Sequence, residues 1–141
     1  MWPSLIEATD ENGCNLLHYA CEFGEFDTAK LLLMLKPDLS MSHNNDGYTP
    51  LHIAALHNKP TVFEEFEAFA FGAFQVLTKI HHETVFHLVV RNNQFDAFLK
   101  LIEILGDSNE LLHKRDIEGN RPLHISVSYN CLEVYLSLIH I

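Results

Sequence analysis

The chain has 141 residues, enough for one domain, and its 48% apolar content places it with folded chains and not with disordered ones. Nine Lys and Arg against nineteen Asp and Glu give a net charge of −10 with histidine neutral, which argues against nucleic acid or an anionic membrane surface as partner. No apolar run approaches the ~18 residues of a membrane span, no basic start followed by an apolar run is visible, and Cys14, Cys21 and Cys131 form no even framework, so reduced thiols in a cytoplasmic protein are expected.

In chain order, residues 1–9 read as the tail of a preceding repeat, with Leu5 as its apolar mark. The turn Asp10-Glu11-Asn12-Gly13 follows. A first helix then carries Asn15-Leu16-Leu17-His18 and ends at Gly24. A second turn, Asn45-Asp46-Gly47, leads to Thr49, which can cap a helix with its hydroxyl, and to Pro50, which suits the first helical position. That helix stops near Asn58, a residue that tolerates left-handed geometry. The Phe-rich stretch Phe63, Phe66, Phe69, Phe71 and Phe74 reads mainly as core. Any part left exposed would be an interaction patch. Glu67 interrupts the outer-helix pattern, and Val62, Phe63, Phe66 and Phe69 are expected to replace it.

At the third turn His82 stands where the others have glycine. Either that turn changes shape or His82 is strained by about 1 kcal/mol. An outer helix follows with Phe95, Phe98, Leu99 and Ile102 at i, i+3, i+4 and i+7, and Gly106-Asp107-Ser108-Asn109 reads as a loop. The fourth turn, Ile117-Glu118-Gly119-Asn120, precedes a helix in which Arg121 replaces the capping residue and cannot cap. Leu132, Tyr135, Leu136 and Ile139 repeat the outer stripe.

His18, His52, His87 and His124 lie 34, 35 and 37 residues apart, each in the same local setting. Apolar marks at Leu39, Phe74 and Leu111 place the extra residues after the first helix of each repeat. A period of about 33 residues with the string T-P-L-H-x-A, met in full at Thr49-Pro50-Leu51-His52-Ile53-Ala54, resembles ankyrin repeats. The resemblance implies an all-α ankyrin-repeat solenoid of stacked antiparallel helix pairs with protruding turns. One domain spans 1–141, with approximate repeats at 10–43, 44–78 and 79–115 and an incomplete one at 116–141. Glu83-Thr84-Val85-Phe86-His87-Leu88 and Arg91-Asn92-Asn93-Gln94-Phe95 resemble, more narrowly, plant ankyrin proteins with a C-terminal membrane-spanning region, of the accelerated-cell-death type. That likeness implies a fragment or a shortened product of a longer signalling or defence protein, with membrane contact only through a segment outside this chain. A solenoid needs end repeats with polar outer faces, and Leu136, Leu138, Ile139 and Ile141 make a poor polar cap.

Nothing in the residues asks for an enzyme. There is no nucleophile motif, no phosphate loop and no carboxylate pair spaced for acid–base work. The repeat histidines follow the period of the fold, and the resemblance assigns them a structural bond near the capping residue of their own or a neighbouring repeat. Cys14, His18 and Cys21 are a weaker alternative as zinc ligands, and His81-His82 with Glu83 could draw a divalent ion, which leaves a metal-dependent enzyme as the remote alternative. No catalytic residue, metal, cofactor or small-molecule substrate is expected. The resemblance implies a protein partner, held by the finger tips Asp46, Tyr48, His82, Glu83, Glu118 and Asn120 and by the inner-helix positions Glu22, Phe23, Leu56, His57, Arg91, Asn92, Ser128 and Tyr129. Phe23, His57, Arg91 and Tyr129 are the expected anchors. Asp46, Glu83 and Glu118 would favour a basic partner.

Overall fold

A computed structural model describes residues 2–107 and 109–139, with side chains from Leu5 onward. Among the described residues there are nine α-helices and no strand. After α1 (Trp2–Glu7), an inner layer holds α2 (Leu16–Phe23), α4 (Pro50–Leu56), α6 (Val85–Arg91) and α8 (Pro122–Ser128). An outer layer holds α3 (Phe26–Leu35), α5 (Phe63–Phe69), α7 (Phe95–Leu105) and α9 (Leu132–Ile139). Each inner helix packs on the next, each outer helix does the same, and the connections within a pair are too short for any but an antiparallel course. The result is the two-layered solenoid that the period predicts.

The inner helices end where the chain must turn back sharply. Gly24, Asn58, Asn93 and Asn130 all take the left-handed conformation there, with φ of 69°, 54°, 53° and 55°. Small residues Ala20, Ala54 and Ala55 are buried between inner helices and let the layers approach. The outer layer contributes Ala29 and Leu33, then Phe63 and Phe66, then Phe98 and Leu101, all fully buried. Phe74 joins that core, while Phe69 and Phe71 remain exposed.

The outer stripes differ from the periodicity reading in two helices. In α7, Leu99 faces solvent, and Ala97 and Leu101 fill the core beside Phe98. In α9, Leu132, Leu136 and Ile139 are exposed, Val134 is buried and Leu138 half-buried. That helix is apolar almost all round, so period alone picks no single face. Its rotation is set instead by the preceding loop, where Cys131 is buried with its thiol 3.1 Å from the Val90 carbonyl. Ile141, expected to close the chain on an apolar face, lies outside the described residues.

The fingers also explain the uneven spacing. Asp10, Asn44 and Asp116 each use one side-chain oxygen to accept two amides across their turn, and each closes on the carbonyl four residues on. Thr78 closes on Glu83 instead, one residue further along. The extra residue of the second spacing therefore sits in the third finger, not after the first helix as the mark at Phe74 suggests. In the 3-10 segments Pro37–Met41 and Phe71–Gln75, Ala73 is the structural counterpart of Leu39. His82 does keep the left-handed conformation, at φ 54°, within this longer turn.

Candidate functional site on the concave face

Beneath the concave face runs a ladder of imidazoles. The backbone N–H of Asn15, Thr49, Thr84 and Arg121 donates to Nδ1 of His18, His52, His87 and His124, at 3.0, 3.0, 3.1 and 2.9 Å. An Nδ1 that accepts leaves the proton on Nε2. Nε2 then donates to a carbonyl later in the chain: Tyr48 of the following repeat for His18, Val76 at the end of its own repeat for His52 and Asn120 of the following repeat for His87, at 3.0, 2.9 and 2.7 Å. Asn15, Thr49 and Thr84 complete the cap by accepting from the histidine amide. Arg121 has no acceptor to offer, so that half of the cap is missing at α8. Burial holds His18 and His87 below the ordinary histidine range and His52 down to about 4, so the rings are neutral. Both nitrogens of His18 are engaged, which leaves no lone pair for a zinc ion shared with Cys14 and Cys21. Among the described residues no three His, Cys, Asp or Glu groups stand close enough to hold a metal.

Two columns of side chains run along the groove above this ladder. The fingers present Cys14, Tyr48, Glu83 and Asn120, and the ends of the inner helices present Glu22, Leu56, Arg91 and Ser128. Phe23, His57, Asn92 and Tyr129 stand one position further out and are exposed. Asp46, His82 and Glu118 are exposed on the fingers as expected. Packing dictates few of these residues.

Glu83 departs from the reading of it as a free rim charge. It is 3% exposed, and its carboxylate accepts from the Arg91 guanidinium at 2.6 Å. Thr78 Oγ1 caps its amide, and the longer third finger turns it inward. Arg91 is thereby committed to an internal pair and is no free anchor. Asn92 is likewise engaged, its amide donating to the Leu88 carbonyl at 2.9 Å.

Between the first two repeats the groove widens to about 400 Å³. Of the expected residues it brings together Glu22, Asp46, Tyr48, Leu56 and His57, and it adds Tyr19 and Ile53. The Tyr19 hydroxyl donates to Asp10, a bond that holds the Asp10 carboxyl below its usual range and pushes the phenol up to about 12. Tyr19 could have been found from the helix period, since it shares a face with Glu22 and Phe23 at i, i+3 and i+4. His57 Nε2 lies 3.7 Å from Glu22 Oε1 across the groove. Phe23, Tyr129, Glu118 and Ser128 lie outside this widening. No helix among the described residues is long and apolar enough to cross a membrane.

Comparison with known proteins agrees with the repeat geometry. The family model for ankyrin repeats (3 copies) matches residues 3–66. The chain is 29% identical over 140 residues to the nuclear factor NF-kappa-B p105 subunit of Gallus gallus, covering 96% of this chain and 14% of the relative. It is 26% identical over 139 residues to the B-cell lymphoma 3 protein homolog of Mus musculus, covering 96% and 31%. Over 53 residues, 38% of this chain and 4% of the relative, it is 43% identical to a transient receptor potential cation channel subfamily A member 1 homolog of Caenorhabditis elegans. The chain thus spans less than a third of the length of these relatives. All three are animal proteins, and the narrower likeness to plant membrane-type proteins rests on its short strings alone.

Proposed function

We propose that this chain, an ankyrin-repeat solenoid, is a non-catalytic scaffold that binds another protein on its concave face. One observation carries the reading. The ladder of buried imidazoles uses up the polar groups that hold the repeats together. The side chains above it, Phe23, His57 and Tyr129 among them, are exposed and lie outside the buried core. Exposed aromatic groups on a rigid, preformed surface are what a binding site concentrates. Residues 1–141 act as one domain in this reading, and no catalysis, nucleic acid or small-molecule substrate is part of it.

The process is cell signalling, the reading that relatives named for a nuclear factor subunit and a lymphoma protein support. A role in plant defence or stress has only the short strings behind it. A second reading makes the chain the cytosolic part of a membrane-anchored signalling protein, and the match to a relative named as a cation channel favours it.

The test is site-specific photo-crosslinking. A benzophenone amino acid placed at His57 or Tyr129 should trap a partner from the parent cell, and the same group at Glu67 on the outer helix should not. Crosslinks formed from position 67 and absent from 57 and 129 would sink the concave reading.

A further inference from the structure

The widened groove between the first two repeats has a chemistry that the rest of the concave face lacks. Its walls carry two phenol rings, Tyr19 and Tyr48, and two carboxylates, Glu22 and Asp46. No lysine or arginine lines it. Among the described residues Asp46 has no ion-pair partner, and Glu22 meets only the exposed His57. The third repeat differs, because its inner-helix cation Arg91 is neutralised by its own Glu83. The sequence is skewed the same way. Residues 1–78 hold 3 Lys and Arg with 11 Asp and Glu, against 6 and 8 in residues 79–141.

We infer that this groove is the subsite for one basic side chain of the partner protein, an arginine in preference to a lysine. The inference rests on the scaffold reading above and narrows it to a partner chemistry. A guanidinium seated here lies between carboxylates on both walls and meets phenol faces, whose ring quadrupoles attract a cation. Its planar fork can donate to two carboxylates at once while stacking on a ring, which an ammonium cannot do. Asp10 does not compete for it, because its oxygens already accept from the Asn12 and Cys14 amides and from the Tyr19 hydroxyl. Those bonds also fix the Tyr19 ring in advance, so the site loses little freedom on binding. Ile53 and Leu56 supply apolar surface for the residues on either side of the arginine.

The experiment selects a random peptide library displayed on phage against the full chain and then measures the winners against variants. Selected peptides should share an Arg flanked by apolar residues. Glu22→Gln and Asp46→Asn should each weaken them about tenfold, and added salt should weaken them in parallel. Glu67→Gln removes the same charge from the outer helix and should leave affinity unchanged. Peptides that lack a basic residue, or that survive both groove changes yet are lost on Tyr129→Ala, would overturn the subsite and leave the scaffold reading standing. A selection that yields no binder, or binders sensitive only to outer-helix changes, would overturn both.

Discussion

Arg91 and Glu83 form an ion pair of 2.6 Å in which the carboxylate is almost wholly enclosed and the guanidinium is only about a quarter exposed. The second carboxylate oxygen, Oε1, is buried and accepts no hydrogen bond among the described residues. The pair therefore has little slack. Arg91→Ala strands a buried charge and should cost roughly 3 kcal/mol of stability, the lower end of the range for breaking such pairs because the guanidinium is partly exposed. Arg91→Ala with Glu83→Gln should recover most of it. Urea unfolding of the three variants measures this, and a single variant as stable as the parent would show that the pair is idle.

Acid should unfold the protein earlier than its carboxylates alone require. Burial depresses His52 to about 4, and it also depresses His18 and His87, whereas an unfolded histidine titrates near 6.5. The unfolded chain therefore takes up protons that the folded chain refuses. Stability is complete above pH 6.5 and falls as pH drops toward 4, by roughly 3 kcal/mol for His52 alone. His43, whose ring lies 6.4 Å from that of His52, also disfavours the charged form of His52. His52→Gln should flatten the curve of stability against pH in this window. An unchanged slope would contradict the assignment.

The third finger offers a gain in stability. His82 holds a φ of 54° that glycine adopts without strain. His82→Gly should stabilise by about 0.5–1 kcal/mol, the relief of strain exceeding the added freedom of the unfolded chain. His82→Val should destabilise by a similar or larger amount. Denaturant midpoints decide it, and a loss of stability with glycine would show that the His82 side chain makes a contact worth more than the strain.

The last inner helix lacks half of its cap, because Arg121 has no acceptor for the His124 amide. Arg121→Thr restores the Thr49 and Thr84 pattern and should add about 1 kcal/mol. Thermal unfolding would register it as a higher midpoint, and an unchanged or lower midpoint would contradict it.

Leu132, Leu136 and Ile139 leave α9 with an uncovered apolar flank. The isolated chain should associate as its concentration rises, and Leu132→Glu with Leu136→Lys should suppress this. Sedimentation reads the outcome directly. A parent chain that stays monomeric at high concentration would refute it.

The repeat was legible because its marks answer to backbone geometry. His18, His52 and His87 cap helices, and Asn58, Asn93 and Asn130 occupy left-handed turns where few residues fit. The solenoid and its helix order follow from these. Helix rotation was less legible: in α9 Leu132 and Val134 have equal claims by hydropathy, and the preceding Cys131 loop decides between them. Glu83 was read as a finger charge because it follows His82 in a polar turn. The bonds between Thr78 and Glu83 that lengthen that turn are local, but burial of the carboxylate depends also on Arg91, eight residues on along the next helix, which the turn sequence alone does not display. The groove at Tyr19 and Tyr48 joins side chains from two repeats and so emerged only once they were stacked.

The imidazole ladder gives the stack a direction. His18, His52 and His87 each donate from Nε2 to a carbonyl that lies later in the chain, 30, 24 and 33 residues on. Separating the two sides of such a bond frees a ring N–H on the earlier segment and a carbonyl on the later one together, and the N–H, which folded chains seldom leave unpaired, is the costlier of the two. Opening at one seam leaves the rings at the other seams paired, so the array should fray seam by seam and not all at once.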